Sequence, residues 1–137
     1  MRIFFDSSAF AKKYIMETGS DMVLDYLAQA DEVVISVVAI VETLSALNRR
    51  KREKAISSQM YRKIKKEISL DLKAASVVEI LAEVIAKSTH CLERSPLRSL
   101  DAIQVASALV SEPDLFITGD TRQAAAARKA GLAVVSV

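Results

Sequence analysis

The chain has 137 residues, room for one hydrophobic core and hardly for two, so a single domain spanning 1–137 is expected. Its 51% hydrophobic content argues against disorder, and with 5% aromatics and no Trp the core has to be aliphatic. The net charge of +2 hides a strong asymmetry: residues 49–66, RRKREKAISSQMYRKIKK, carry nine Lys/Arg and one acid, a local +8 that leaves −6 for the rest.

Nothing in the chain reads as membrane-spanning. The longest apolar run, VVISVVAIV at 33–41, is nine residues, too short for a bilayer. Asp6 interrupts the opening apolar run, so no secretory leader is expected. The single Cys91 excludes an internal disulfide and fits a cytoplasmic protein.

In chain order, residues 2–5 read as a strand, and helical periodicity runs from Ser7 to about Ile15. Gly19 breaks it, with Ser20 or Asp21 available to cap a helix over about 20–30. EVVIS at 32–36 is a β-branched strand, followed by a helix from Val37 to about Lys51 and another from Ser57 to about Ser69. Residues 74–94 read as mostly helical, with a short strand possible near Val77–Ile80. Pro96 precedes a small-residue helix, LRSLDAIQVASALV, and Pro113 a strand over Asp114–Thr118. An Ala-rich helix over Thr121–Ala130 ends at Gly131, and Leu132–Val135 forms a last strand. This alternation predicts an α/β fold, a three-layer α/β/α sandwich around a short, mostly parallel sheet.

Four acids stand out. Asp6 ends the first strand and Asp120 follows the penultimate one, so both fall at the carboxyl edge of a parallel sheet, where sites gather. Glu42 lies in VVAIVETLSAL and Asp101 in LRSLDAIQVASAL, each in a helical stretch with few other charges. A helical wheel groups Val37, Ile40, Val41 and Leu44 on one face and sets Glu42 beside Val38, Ser45, Ala46 and Arg49. Taken singly, Asp6 and Asp120 are also plausible helix N-caps, Asp101 a first-turn acid or a partner of Arg98, and Glu42 a partner of Arg49. Taken together, four converging carboxylates would repel one another unless a cation neutralised them, and an all-oxygen donor set selects Mg²⁺ or Mn²⁺.

Other chemistries lack their parts. The lone His90 is adjacent to Cys91, so the two side chains diverge on a helix and read as structural. No G-x-S-x-G, Walker A or G-x-G-x-x-G occurs, and three glycines cannot build a phosphate cradle.

The ordered set FFDSSAF, VVAIVETLSAL, LRSLDAIQVASAL and LFITGDTRQAAAARKAGL resembles the PIN-domain family across the whole chain, specifically the VapC-type toxins of prokaryotic toxin–antitoxin pairs. The resemblance implies a metal-dependent endoribonuclease with Asp6, Glu42, Asp101 and Asp120 as metal ligands and catalytic acids. Ser8 and Thr118 would orient them. It also implies an RNA substrate, a homodimer and an antitoxin whose tail enters the acidic cleft. Arg49, two turns from Glu42, is the expected substrate contact.

One departure is visible: Thr121, Arg122 and Gln123 follow Asp120 where many relatives carry a further acid or Asn, which puts a second metal in question. Two alternatives compete. A non-catalytic PIN-like module for RNA binding or assembly is the first. A receiver or haloacid-dehalogenase-like phosphoryl-transfer domain is the second, disfavoured because DSSAF lacks the paired Asp and no late Lys is suitably placed.

Overall fold

A computed structural model describes all of residues 1–137. The elements run β1 (Arg2–Phe5), α1 (Ser7–Ala11), α2 (Ser20–Gln29), β2 (Glu32–Ser36), α3 (Val37–Arg52), α4 (Ser58–Ala74), β3 (Ser76–Val78), α5 (Ala82–Arg94), α6 (Ser99–Ser111), β4 (Leu115–Thr118), α7 (Thr121–Lys129) and β5 (Val134–Ser136). The five strands pair in parallel throughout, in the order β3-β2-β1-β4-β5. The chain therefore winds outward from β1 to one edge, returns to the middle and winds to the other.

Alternation along the strands builds two cores. Phe4, Val34 and Phe116 face one side, where they meet Cys91, Ala102, Val105, Ala108, Ala126 and Ala127 from α5, α6 and α7. Ile3, Phe5, Ile35 and Ile117 face the other and meet Ala9, Phe10, Val23 and Ala39 from α1, α2 and α3. Phe4 and Phe116 stack with ring centroids 5.6 Å apart, joining the two central strands. Burying side chains on both faces explains why β1 reads as a continuous apolar run. A third cluster, Leu47, Ile64 and Ile68, clamps α4 onto α3, and the two helices together carry the basic segment. No helix is long and apolar enough to cross a membrane.

The structure departs from the sequence reading in several elements. Helix α1 stops at Ala11, and Lys12–Ile15 continue as turns, in which Lys13 and Tyr14 both bond Asp71 of α4, at 2.5 Å each. Gly19 itself is the N-cap of α2, at φ +91°, while Ser20 lies inside the helix and its hydroxyl accepts from the Glu17 amide at 2.9 Å. Helix α4 runs on to Ala74, and the possible strand is β3, at Ser76–Val78. On α3 the inward positions are Ala39, Thr43 and Leu47, whereas Val41 is 70% exposed. Gly131, at φ +95°, ends α7 in a Schellman arrangement, with Gly131 N–H bonding Arg128 O and Leu132 N–H bonding Ala127 O.

Candidate active site

Strand β1 ends against β4, and the Asp6 amide donates to the carbonyl of Ile117 at 3.0 Å. This pairing sets the Asp6 side chain in the crevice where the strand order reverses, the usual place for a site in an open parallel sheet. Asp6 is wholly buried. One of its oxygens accepts from Ser8 Oγ at 2.7 Å and from the Ala9 amide at 2.8 Å, capping α1, and the other accepts from Thr118 Oγ1. Burial pushes its carboxyl up to about 6 against the downward pull of these three donors, with the Asp120 charge adding to the rise.

The two hydroxyls pass the contact outward. Ser8 Oγ accepts from the Gly119 amide at 2.8 Å, and Thr118 Oγ1 accepts from the Asp120 amide at 2.9 Å. A Cβ at Gly119 would lie 2.9 Å from Lys12 Cε, a flexible end that can shift, and 3.3 Å from Ser8 Oγ, so the position favours a small residue. Asp120 caps α7 with one oxygen, which accepts from the Arg122 and Gln123 amides at 2.8 and 3.0 Å. Its cap role and its place at the crevice coexist.

Glu42 comes from the second turn of α3. Its Oε1 accepts from Ser7 Oγ at 2.7 Å and from the Gln104 side-chain amide at 2.9 Å, and it makes no ion pair with Arg49. Asp101, in the first turn of α6, accepts from the Arg98 backbone amide at 3.2 Å and the Gln123 side chain at 3.3 Å. Glu42, Asp101 and Asp120 line one open cavity of about 340 Å³, with Lys12, Arg49 and Arg50 on its wall. Asp6 lies behind that cavity and reaches it only through Ser8 and its neighbours.

The four acids thus share one edge of the molecule, yet no three of the chain's His, Cys, Asp or Glu side chains are gathered as ligands around a point. Each carboxylate instead accepts from donors close at hand. The donor set nonetheless suits a hard cation: every candidate ligand is an oxygen, and two buried side-chain oxygens beside the acids, Gln104 Oε1 and Gln123 Oε1, have no hydrogen-bond partner.

Sequence reading missed Gln104, Ser7's bond to Glu42, and the wall residues Lys12 and Arg50. The one available signal was Gln104 itself, a polar residue one turn after Asp101 in an otherwise small and apolar helix. Gln123, read as the position of a missing acid, holds Asp101 instead.

The PIN domain profile matches residues 3–129. The chain is 30% identical to Ribonuclease VapC49 of Mycobacterium tuberculosis over 134 residues, covering 96% of this chain and 93% of the relative. It therefore belongs to the PIN domain family, in the VapC-type branch. Among solved structures, VapC20 of M. tuberculosis, a sarcin-ricin loop cleaving toxin, superposes with a TM-score of 0.74 at 19% identity, covering 98% of this chain and 99% of that one. A toxin–antitoxin complex from Klebsiella pneumoniae contains a chain of the same fold, with a TM-score of 0.69, 17% identity and coverage of 98% and 96%.

Proposed function

We propose that residues 1–137 form a single unit that hydrolyses phosphodiester bonds in RNA, as the toxin of a toxin–antitoxin pair acting in the cytoplasm. The observation that carries this reading is the cavity at the carboxyl edge of β1 and β4, lined by Glu42, Asp101 and Asp120 and by Lys12, Arg49 and Arg50, of which Lys12 and Arg50 pair with Glu17 and Arg49 is in no ion pair. Carboxylates alone would repel a polyanion. Cations set beside them let a phosphate enter.

In this reading Asp6, Glu42, Asp101 and Asp120 hold Mg²⁺ or Mn²⁺, which supplies an activated water and charge neutralisation at the phosphate when bound. Ser8 and Thr118 fix Asp6, and through the Gly119 and Asp120 amides they tie β1 to the loop that carries Asp120. Ser7 and Gln104 both donate to Glu42 Oε1, which fixes the carboxylate's orientation and leaves Oε2 free to face the attacking water. Arg49 binds the incoming backbone. Gln123 orients Asp101.

Partners follow from surfaces beside the cavity. A groove lined by Val38, Val41 and Leu100, with Arg49 and Arg52 at its side, suits an apolar and acidic antitoxin segment. Leu81, Ile85 and Leu92 are exposed along one side of α5 and suit a second copy of the chain.

The test is incubation of the purified protein with a mixed RNA pool in Mg²⁺ or Mn²⁺, with and without chelator, beside Asp120→Asn. Cleavage that needs the metal and is lost in the variant is expected. Cleavage that survives both the chelator and the substitution would sink the metal-dependent reading. No cleavage, with no effect of either ion on the melting temperature, would favour a binding module.

A further inference from the structure

A second basic surface of the molecule is built from α5 and α7, apart from the basic stretch of α3 and α4. Thr121 and Arg122 follow Asp120 directly and open onto a cavity of about 300 Å³ shared with Arg94, Ser95 and Lys129. That cavity continues into another of about 220 Å³, whose rim is Lys87, His90, Arg94 and Lys129 and whose inner wall is Leu109, Ala126 and Ala130. No acid lines either one. None of Lys87, Arg94, Arg122 or Lys129 is in an ion pair, although acids are nearly as numerous as cations in the chain. A solvated helix face in such a chain would mix both signs. Here one sign is kept along a path that begins at the acidic cavity.

The two cavities differ in kind. The one beside Asp120 is lined by Ala125 and Ala126 together with Arg94, Arg122, Lys129 and the Thr121 hydroxyl, donors of the kind a backbone phosphate requires, and Lys129 Nζ also donates to the Arg94 carbonyl at 2.6 Å. The further one pairs an apolar wall with a flat imidazole and a flat guanidinium, the surfaces on which an unstacked base lies. Its 220 Å³ is below the roughly 300 Å³ from which pockets for drug-sized ligands begin, and it suits a single ring system.

We propose that the joined cavities between α5 and α7 hold the single-stranded RNA flanking the scissile bond, Arg122, Arg94 and Lys129 binding its phosphates while one base enters against His90. The inference rests on the ribonuclease reading and adds a second wall to it: the strand crosses the carboxylates from the Arg49 side to the Arg94 side. An enzyme built this way needs nucleotides on both sides of the cut, and the base seated at His90 contributes to its choice of sequence.

The experiment is fluorescence anisotropy with a fluorescein-labelled, mixed-sequence 12-nucleotide single-stranded RNA in EDTA, which permits binding without turnover, across 50–200 mM salt. Arg94 and Arg122 are exposed, so Arg94→Ala/Arg122→Ala keeps the fold, as thermal melting will check. The double variant is expected to bind about tenfold more weakly at 0.1 M salt. Its salt slope should flatten by about 1.4, at roughly 0.7 per lost phosphate contact. His90→Ala should weaken binding about fivefold with the slope unchanged, because stacking releases no counterions. Lys73→Ala, a single-charge control on α4, should leave both quantities near wild type.

Wild-type affinity and slope in the double variant would overturn the proposal, as would losses no larger than those of the control. If Arg49→Ala weakens RNA binding while the double variant does not, the ribonuclease reading stands and this surface falls. If the double variant loses only binding of a labelled poly-glutamate peptide, the surface belongs to an acidic protein partner and the proposal is overturned. Absence of RNA binding by the wild-type chain would remove both readings.

Discussion

Asp6 is a carboxylate sealed from water at the end of the central strand, and burial makes it favour its proton. Its value in the folded chain, about 6, lies above the ordinary 3.8, so its stabilising contribution is full below pH 4 and is lost as pH rises through 6. At 1.36 kcal/mol per unit the loss is about 3 kcal/mol at most. Urea unfolding in chelator is therefore expected to give lower stability at pH 8 than at pH 5, and Asp6→Asn should remove most of that difference. Equal pH dependence in the variant would assign it to other groups. Gln104 makes a second case: Gln104→Ala takes one of two donors from Glu42, and cleavage should fall about 10- to 100-fold with RNA affinity nearly unchanged. Steady-state kinetics beside binding in EDTA separates the two. The acids were legible in the sequence because a carboxylate in an apolar stretch is conspicuous. Gln104 was not, because its partner lies 62 residues away and an amide on a helix carries no signal of what it touches.

Among the elements, several bounded by a local chemical event were legible, though the cap of α2 fell on Gly19 and not on Ser20 or Asp21. EVVIS ends at Ser36, whose hydroxyl caps α3, and α7 ends at Gly131, in the left-handed region that glycine tolerates. Boundaries set by distant contacts were not legible. Just beyond the end of helix α1, Lys13 and Tyr14 bond Asp71, which lies 58 and 57 residues further along the chain. The apolar face read on α3 is only partly its core face: Ile40 and Leu44 pack inward, and Val41 does not. A wheel ranks Val41 above Ala39 by size, but α3 lies close against its neighbours and the close approach selects Ala39 and Thr43. Gly19 provides a direct test of one such contact. It sits at φ +91°, and a Cβ there would lie 2.6 Å from the carbonyl carbon of Val137. Gly19→Ala should therefore cost about 2–3 kcal/mol by thermal or urea unfolding, and a loss below 0.5 kcal/mol would show that the C-terminal residue moves aside freely.

For the whole molecule, the α/β alternation was readable from the order of elements, and the all-parallel β3-β2-β1-β4-β5 arrangement follows from helical connections that cannot form hairpins. How the molecule associates is a separate question, argued from exposed apolar side chains on α5. Light scattering is expected to give twice the 15.0 kDa chain mass, and Ile85→Glu/Leu92→Glu should return the monomer. A monomeric wild-type chain would remove the homodimer. The winding order has a further consequence, for synthesis on the ribosome. The first strand made is the central one, and its β4 neighbour, which brings Thr118 and Asp120, is about 110 residues behind it. At 5–20 residues per second the nascent chain waits on the order of ten seconds with one edge of β1 unpaired and the acidic cavity unfinished. Under the ribonuclease reading, products truncated before β4 lack Thr118 and Asp120 and are expected to be inactive. The same interval leaves a bare, strongly apolar strand edge, so such fragments should aggregate unless a chaperone covers it.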